Sequence, residues 1–165
     1  MKKILLAGFV SMFALSIAGS ANASLINYSD YEMLFNEPIT TSANGTPQRL
    51  SDVTLNMEII TAEQIERIGA RSIPEILRFI PGVSVRQYAF GQTEVAIRGY
   101  NQPNSERILV LLDGRQVYLD SFGQVIWENI PVVISGIKQI EVIKGPNTAL
   151  FGFNAVSGVI NIVTK

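Results

Sequence analysis

A chain of 165 residues with 47% hydrophobic and 16% charged side chains has the composition of one folded domain and not of a disordered polymer. Its 13 Lys and Arg against 14 Asp and Glu leave no basic footprint for nucleic acid. With no Cys and no His, disulfides, thiolate nucleophiles and imidazole metal ligation are excluded together, so stability has to come from packing.

The chain opens with a basic pair, Lys2 and Lys3, then an apolar run from Ile4 to Ile17, then small residues ending at Ala21-Asn22-Ala23. That order predicts a secretory signal peptide over residues 1–23, cleaved after Ala23. The apolar run is too short for the roughly 20 residues of a spanning helix. From Ser24 to Ser51 the chain is rich in Asn, Ser, Thr, Pro and Gly without a sustained period, and it reads as a flexible N-terminal segment. The folded domain is expected over residues 52–165.

Met57 to Ile60 reads as a strand, and Thr61-Ala62-Glu63-Gln64 as a capping box that opens a helix to Ile68, stopped by Gly69. A second box, Ser72-Ile73-Pro74-Glu75, opens a helix to about Phe79, ended by Pro81-Gly82. Ile73, Ile76, Leu77 and Ile80 share one face of it, which should cover a sheet. Val83 to Arg86 and Glu94 to Arg98 read as strands around a polar connection, Gln87 to Thr93. Ile108 to Leu112, Asp113-Gly114 and Arg115 to Leu119 form a hairpin signal, because Asp-Gly tolerates the positive φ values of a type I′ turn. Pro131 to Gly136 is expected as a short helix, Lys138 to Ile143 as a strand, Asn147 to Phe151 as one helical turn, and Val159 to Val163 as the last strand. The expected class is α+β: a small mixed sheet of short strands with two or three short helices.

Catalysis finds little support in these residues. Asp113, Glu128 and Glu141 are the available carboxylates and Ser105 and Ser157 the available nucleophiles, but none has a base partner, and Asp113 is accounted for by its turn. The run from Gly145 to Gly152 looks like a phosphate loop, yet it lacks the Gly-Lys-Ser/Thr ending and Pro146 removes a donor N–H. Its glycines are expected to serve tight turns. The chain is read as a non-enzyme without a cofactor.

The tail IEVIKGPNTALFGFNAVSGVINIVTK, Ile140 to Lys165, resembles the closing signature of the plug domain of TonB-dependent outer-membrane receptors. This family imports iron complexes such as iron-siderophores, cobalamin and other scarce solutes. ITAEQIERIGARSIPEILRFIPGVSV (Ile60 to Val85), VAIRGYNQPNSERILVLLDGRQVY (Val95 to Tyr118) and the Ile130-Pro131 step agree in the family's order, so the resemblance runs from about Pro38 to Lys165. In the family, a Thr-Lys ending of this kind leads into a barrel of the 22-stranded type whose lumen is plugged. A chain of this length has no room for that barrel, and its expected partners are therefore a barrel, the periplasmic domain of TonB and a transported solute. The expected location is the outer membrane inside a barrel, or the periplasm if the plug is a free-standing binding module.

The resemblance also implies sites. Pro38, Ile39, Thr40, Thr41 and Ser42 match the TonB-contacting motif by position and by a short Ile-Thr-Thr core; the alternative is plain linker. The apical loops would contribute Tyr88, Phe90, Gln92, Gln102, Asn104, Tyr118 and Phe122 to ligand contact, an aromatic and amide set suited to stacking and hydrogen bonding; the alternative is solvated loop tips. Arg98, Glu141 and Lys144 match the residues that lock plug to barrel, with Lys144 standing where Arg is commoner and losing the planar fork. For these the alternative is a salt bridge within the plug.

Overall fold

Thr61 closes a strand and opens a helix in one step. Its hydroxyl accepts from the Gln64 backbone N–H at 3.5 Å, while the Gln64 side chain accepts from the Thr61 N–H at 3.0 Å. Both arms of the expected capping box are formed. Gly69 stops the helix in the left-handed region at φ 67°. The second box closes differently: the Ser72 hydroxyl accepts from Glu75 N–H, but the Glu75 carboxylate reaches past Ser72 to the Arg71 N–H at 2.7 Å.

A computed structural model of the chain describes residues 37–89, 91–99, 107–118 and 124–165. The expected signal peptide and residues 24–36 lie outside them. In chain order the strands and helices are β1 (Ile39–Thr40), β2 (Gln48–Arg49), β3 (Met57–Thr61), α1 (Ala62–Ile68), α2 (Ile73–Leu77), β4 (Val83–Ala89), β5 (Gln92–Ile97), β6 (Ile108–Leu112), β7 (Arg115–Gln116), β8 (Ile137–Lys144), α3 (Thr148–Phe151) and β9 (Gly158–Thr164). Short 3-10 turns at Leu50–Asp52, Trp127–Asn129 and Ile134–Gly136 join them. The class is the expected α+β with a mixed sheet.

The central sheet has the order β3-β8-β9-β6-β7, with β6 and β9 parallel and the other pairs antiparallel. Successive side chains on a strand point to opposite faces, and this sheet buries both. Ile60, Val110, Ile140, Val142, Ile160 and Ile162 face α1 and α2 and pack with Ile65, Ile73, Ile76 and Leu77. Met57, Leu109, Leu111, Ile143 and Val159 face the other way, where Ala43, Leu50, Val53 and Leu55 of the N-terminal segment cover them. Asp113 at φ 49° and Gly114 at φ 77° make the type I′ turn between β6 and β7. Asp113 also anchors the end of β9, its carboxylate accepting from Thr164 N–H and hydroxyl, both at 2.8 Å.

Three expectations are corrected. The second helix ends at Leu77, before Phe79, which is 62% exposed. The supposed connection Gln87 to Thr93 is largely ladder: β4 and β5 continue through it, with an irregularity between Gln87 and Ala89. The polar side chains there suggested a loop, but an exposed two-stranded ribbon carries polar residues on both faces. Residues 37–51, expected to be flexible, are folded: β1 pairs with β2, and Thr40 and Ala43 are 1% and 3% exposed. Two-residue strands are too short for a period-2 pattern to register.

Candidate functional site

On the face of the sheet away from the helices, β8 presents Gln139 and Glu141 two residues apart, and the antiparallel register sets Glu141 opposite Asn161 of β9. All three are buried, at 4%, 1% and 5% exposure. Burying polar groups is costly unless each finds a partner. Here they partner one another, the β6–β7 turn and the N-terminal segment. The Ser42 hydroxyl and, at 3.2 Å, the Asn161 amide donate to Glu141 Oε2, while Gln139 Nε2 donates to Glu141 Oε1 at 2.7 Å and to the Ile39 carbonyl at 2.8 Å. Asn161 Nδ2 also donates to Ser42 Oγ at 2.7 Å, and Asn161 Oδ1 accepts from Gly114 N–H at 3.3 Å. Thr40 Oγ1 accepts from Ser42 N–H at 3.1 Å. One network thus runs from the backbone of β1 across the sheet to the β6–β7 turn.

The residues expected to contact TonB sit at the near end of this network. Ile39 and Thr40 form β1, opposite Arg49 and Gln48. The Pro38 carbonyl accepts from Leu50 N–H at 3.2 Å, Thr41 is exposed, and Ser42 meets Glu141. Just before them, the Glu37 carboxylate accepts from the Ser51 N–H at 2.7 Å. Hydrogen bonding from Ser51, side chain first and then backbone, holds the Glu37 carboxyl below the ordinary glutamate range, with Arg49 helping. A group with a depressed folded value stabilises above its unfolded pKa and loses that contribution as pH falls through the folded one. The Ser51 amide resonance is therefore expected to move in an acid titration, with a midpoint below the ordinary glutamate value. A midpoint at or above that value would contradict the contact.

The three residues implied as a barrel lock are not together. Lys144 Nζ bonds Glu58 Oε1 at 2.5 Å and the Pro81 carbonyl at 3.1 Å, its side chain 10% exposed. Arg98 is exposed and adopts φ 59°, uncommon for a non-glycine residue, with its guanidinium against Gly145. Arg98 and Lys144 thus share the sheet end around Gly82 and Gly145, where the Arg98 N–H also donates to the Gly82 carbonyl at 2.8 Å. Glu141 lies apart from them, under Ser42. Among the apical-loop residues, Tyr88 is on β4, 59% exposed, and its hydroxyl donates to the Glu94 carboxylate on β5, which pushes the phenol above its usual range. Gln92 opens β5 and is exposed, and Tyr118 follows β7, half-buried. Phe90, Gln102, Asn104 and Phe122 lie outside the described residues.

Gln139, Asn161 and Glu58 had no assigned role from sequence. Asn161 carried a signal, as the one polar residue inside the apolar run Val159 to Val163. Gln139 and Glu141 had the alternation of a solvent-facing stripe, which concealed the cover that the N-terminal segment supplies.

A mixed sheet with a few short helices matches the plug fold of TonB-dependent receptors. The sequence profile of the TonB-dependent Receptor Plug Domain matches residues 49–159, and the chain belongs to that family. It is 37% identical over 130 residues, 78% of its length, to the vitamin B12 transporter BtuB of Photobacterium profundum, of which that stretch is 21%. It is 35% identical over 155 residues to the BtuB of Vibrio vulnificus, covering 90% of this chain and 25% of that protein. The chain thus spans about a fifth to a quarter of these relatives. Among solved structures, the P. aeruginosa receptor FpvA bound to a heterologous pyoverdine superposes with TM-score 0.65 at 19% identity, over 77% of this chain and 16% of that one, a likeness of fold. The ferric enterobactin receptor PfeA matches with TM-score 0.51 at 32% identity, over 66% and 17%. These relatives are transporters and receptors.

Proposed function

We propose that the chain is the gate of an outer-membrane importer driven through TonB: it fills a barrel, helps bind a scarce solute from its apical loops, and is remodelled when its N-terminal segment is engaged. The observation that carries this reading is membership of the plug family, strengthened by 37% and 35% identity to two vitamin B12 transporters. Those relatives make a cobalamin the first solute to try and an iron-siderophore complex the second. Pro38 to Ser42 are the proposed TonB contact. A strand of two residues with Thr41 already exposed can exchange its partner β2 for the edge of another sheet, the usual way an extended segment adds to a partner.

The test is heteronuclear NMR of the full chain with and without the purified periplasmic domain of TonB. Resonances of Ile39 to Ser42 are expected to shift, while those of α1 and α2 stay in place. If the core is folded and none of Pro38 to Ser42 responds, the coupling assignment fails.

A further inference from the structure

The buried network lies where an N-terminal segment meets a sheet, and its chemistry changes along the segment. From Glu37 to Ser42 the contacts are hydrogen bonds of two sets: Glu37, Pro38 and β1 bond Ser51, Leu50 and β2 within the N-terminal segment, while the Ile39 carbonyl meets Gln139 and Ser42 meets Glu141 and Asn161 on the central sheet. Ile39 packs in neither apolar cluster of the sheet. At Ala43 the character switches. Ala43 is 3% exposed and packs with Met57, Leu109, Leu111, Ile143, Ala155 and Val159.

These two kinds of contact respond differently when the segment lifts. Water can take over the hydrogen bonds of Gln139, Glu141 and Asn161 once the segment leaves, so the net cost of separating them is modest. Lifting Ala43 instead opens an apolar cluster to water, which nothing compensates. A polar patch buried under a removable strip therefore favours local opening with a defined limit.

We infer that Glu141 is the catch of a peelable latch: with Gln139 it holds Ile39 to Ser42 on the sheet, the segment comes away from sheet and β2 as far as Ser42, and Ala43 marks where peeling stops. Glu141 so placed is a positioning residue inside the domain, distinct from the barrel-facing role that family resemblance implies for it. The inference gives a regulatory device to the segment proposed to contact TonB and rests on that reading for its purpose. Its physics does not depend on TonB.

The absence of cysteine from the chain makes single-thiol labelling clean. Thr40→Cys and Ala43→Cys are each prepared in the full chain with Glu141 retained and with Glu141→Gln, and maleimide labelling rates are measured under native conditions. The Glu141→Gln change keeps the shape of the side chain but turns an amide donor toward neighbours that are themselves donors. Labelling at position 40 is expected to accelerate on the order of tenfold or more, with position 43 unchanged. Acceleration at both positions together would mean that the whole N-terminal hairpin opens as a unit, and acceleration at neither would mean that Glu141 holds nothing; each overturns the latch. Should Glu141→Gln fail to fold, Ser42→Ala removes only the segment's own hydroxyl from the catch, and the same pattern is required of it. No TonB enters this experiment, so a negative result here is separable from a failure of the coupling reading.

Discussion

Replacing Gly158 with alanine is expected to cost roughly 3 kcal/mol or more, enough to bring a domain of ordinary stability to the edge of unfolding. Gly158 starts β9, paired with Lys144 at the end of β8. A Cβ placed there would lie 2.4 Å from the Ile143 carbonyl oxygen and 2.5 Å from Ile97 Cδ1. The second contact is the end of a side chain and can turn aside, but the first is backbone of the neighbouring strand. Relief requires parting β8 from the central strand β9 and disturbing Ile143, which is 1% exposed. Gly45 is the informative control, since it sits at φ 72° with nothing within 4 Å of an added Cβ. Gly45→Ala meets only the left-handed backbone penalty, about 1–2 kcal/mol. Urea denaturation of the two variants separates crowding from backbone angle. If Gly158→Ala loses no more than Gly45→Ala, the close approach of β8 and β9 is not what requires glycine there.

The same glycine shows how far the sequence could be read. Its place at the start of a strand was legible from the apolar run that follows it, but the neighbour it meets, Ile143, is 15 residues away across the sheet, and no local pattern reports that. Helix α1 was legible to the residue, because its signals are local: Thr61 and Gln64 at one end and Gly69 at the other. The β6–β7 turn was legible for the same reason. The largest miss depended on contacts distant in the chain. Residues 37–51 looked flexible because their stability comes from Gln139, Glu141 and Asn161, about a hundred residues downstream.

The candidate site follows the same division. The family resemblance pointed to a TonB contact at Pro38 to Ser42 and to a lock at Arg98, Glu141 and Lys144, yet only the fold says which of these residues meet. Glu141 and Lys144 are three apart on β8, so their side chains leave opposite faces. That parity sends Lys144 to Glu58 and Pro81, and Glu141 to Ser42. The Ser42–Glu141 contact joins the proposed coupling segment to the centre of the sheet, a pairing invisible in either stretch alone.

Leu77→Ala is expected to cost roughly 3–5 kcal/mol. Leu77 has no measurable exposure, and neither has Ile76 beside it. Helix α2 has only five residues, far fewer than the ~12 at which an isolated helix becomes even marginal in water. Its Ser72 cap contributes about 1 kcal/mol, so the helix is held chiefly by the face it presses on Ile140, Val142, Ile160 and Ile162. Truncating Leu77 leaves a cavity at that contact, and the neighbouring Ile76 and Ile80, which share its face, cannot close it without moving the Pro81-Gly82 turn. Because the carbonyl of Pro81 accepts from Lys144 Nζ and that of Gly82 from Arg98 N–H, loss of packing under α2 is transmitted to the Arg98 and Lys144 end of the sheet. Leu150→Ala, at a leucine 57% exposed on α3, changes the same side chain without a cavity and is expected to stay within about 0.5 kcal/mol of the parent. Chemical denaturation of both, with amide exchange followed at Val83 and Arg98, decides the matter. Comparable losses in the two variants would show that α2 is held by something other than its buried face.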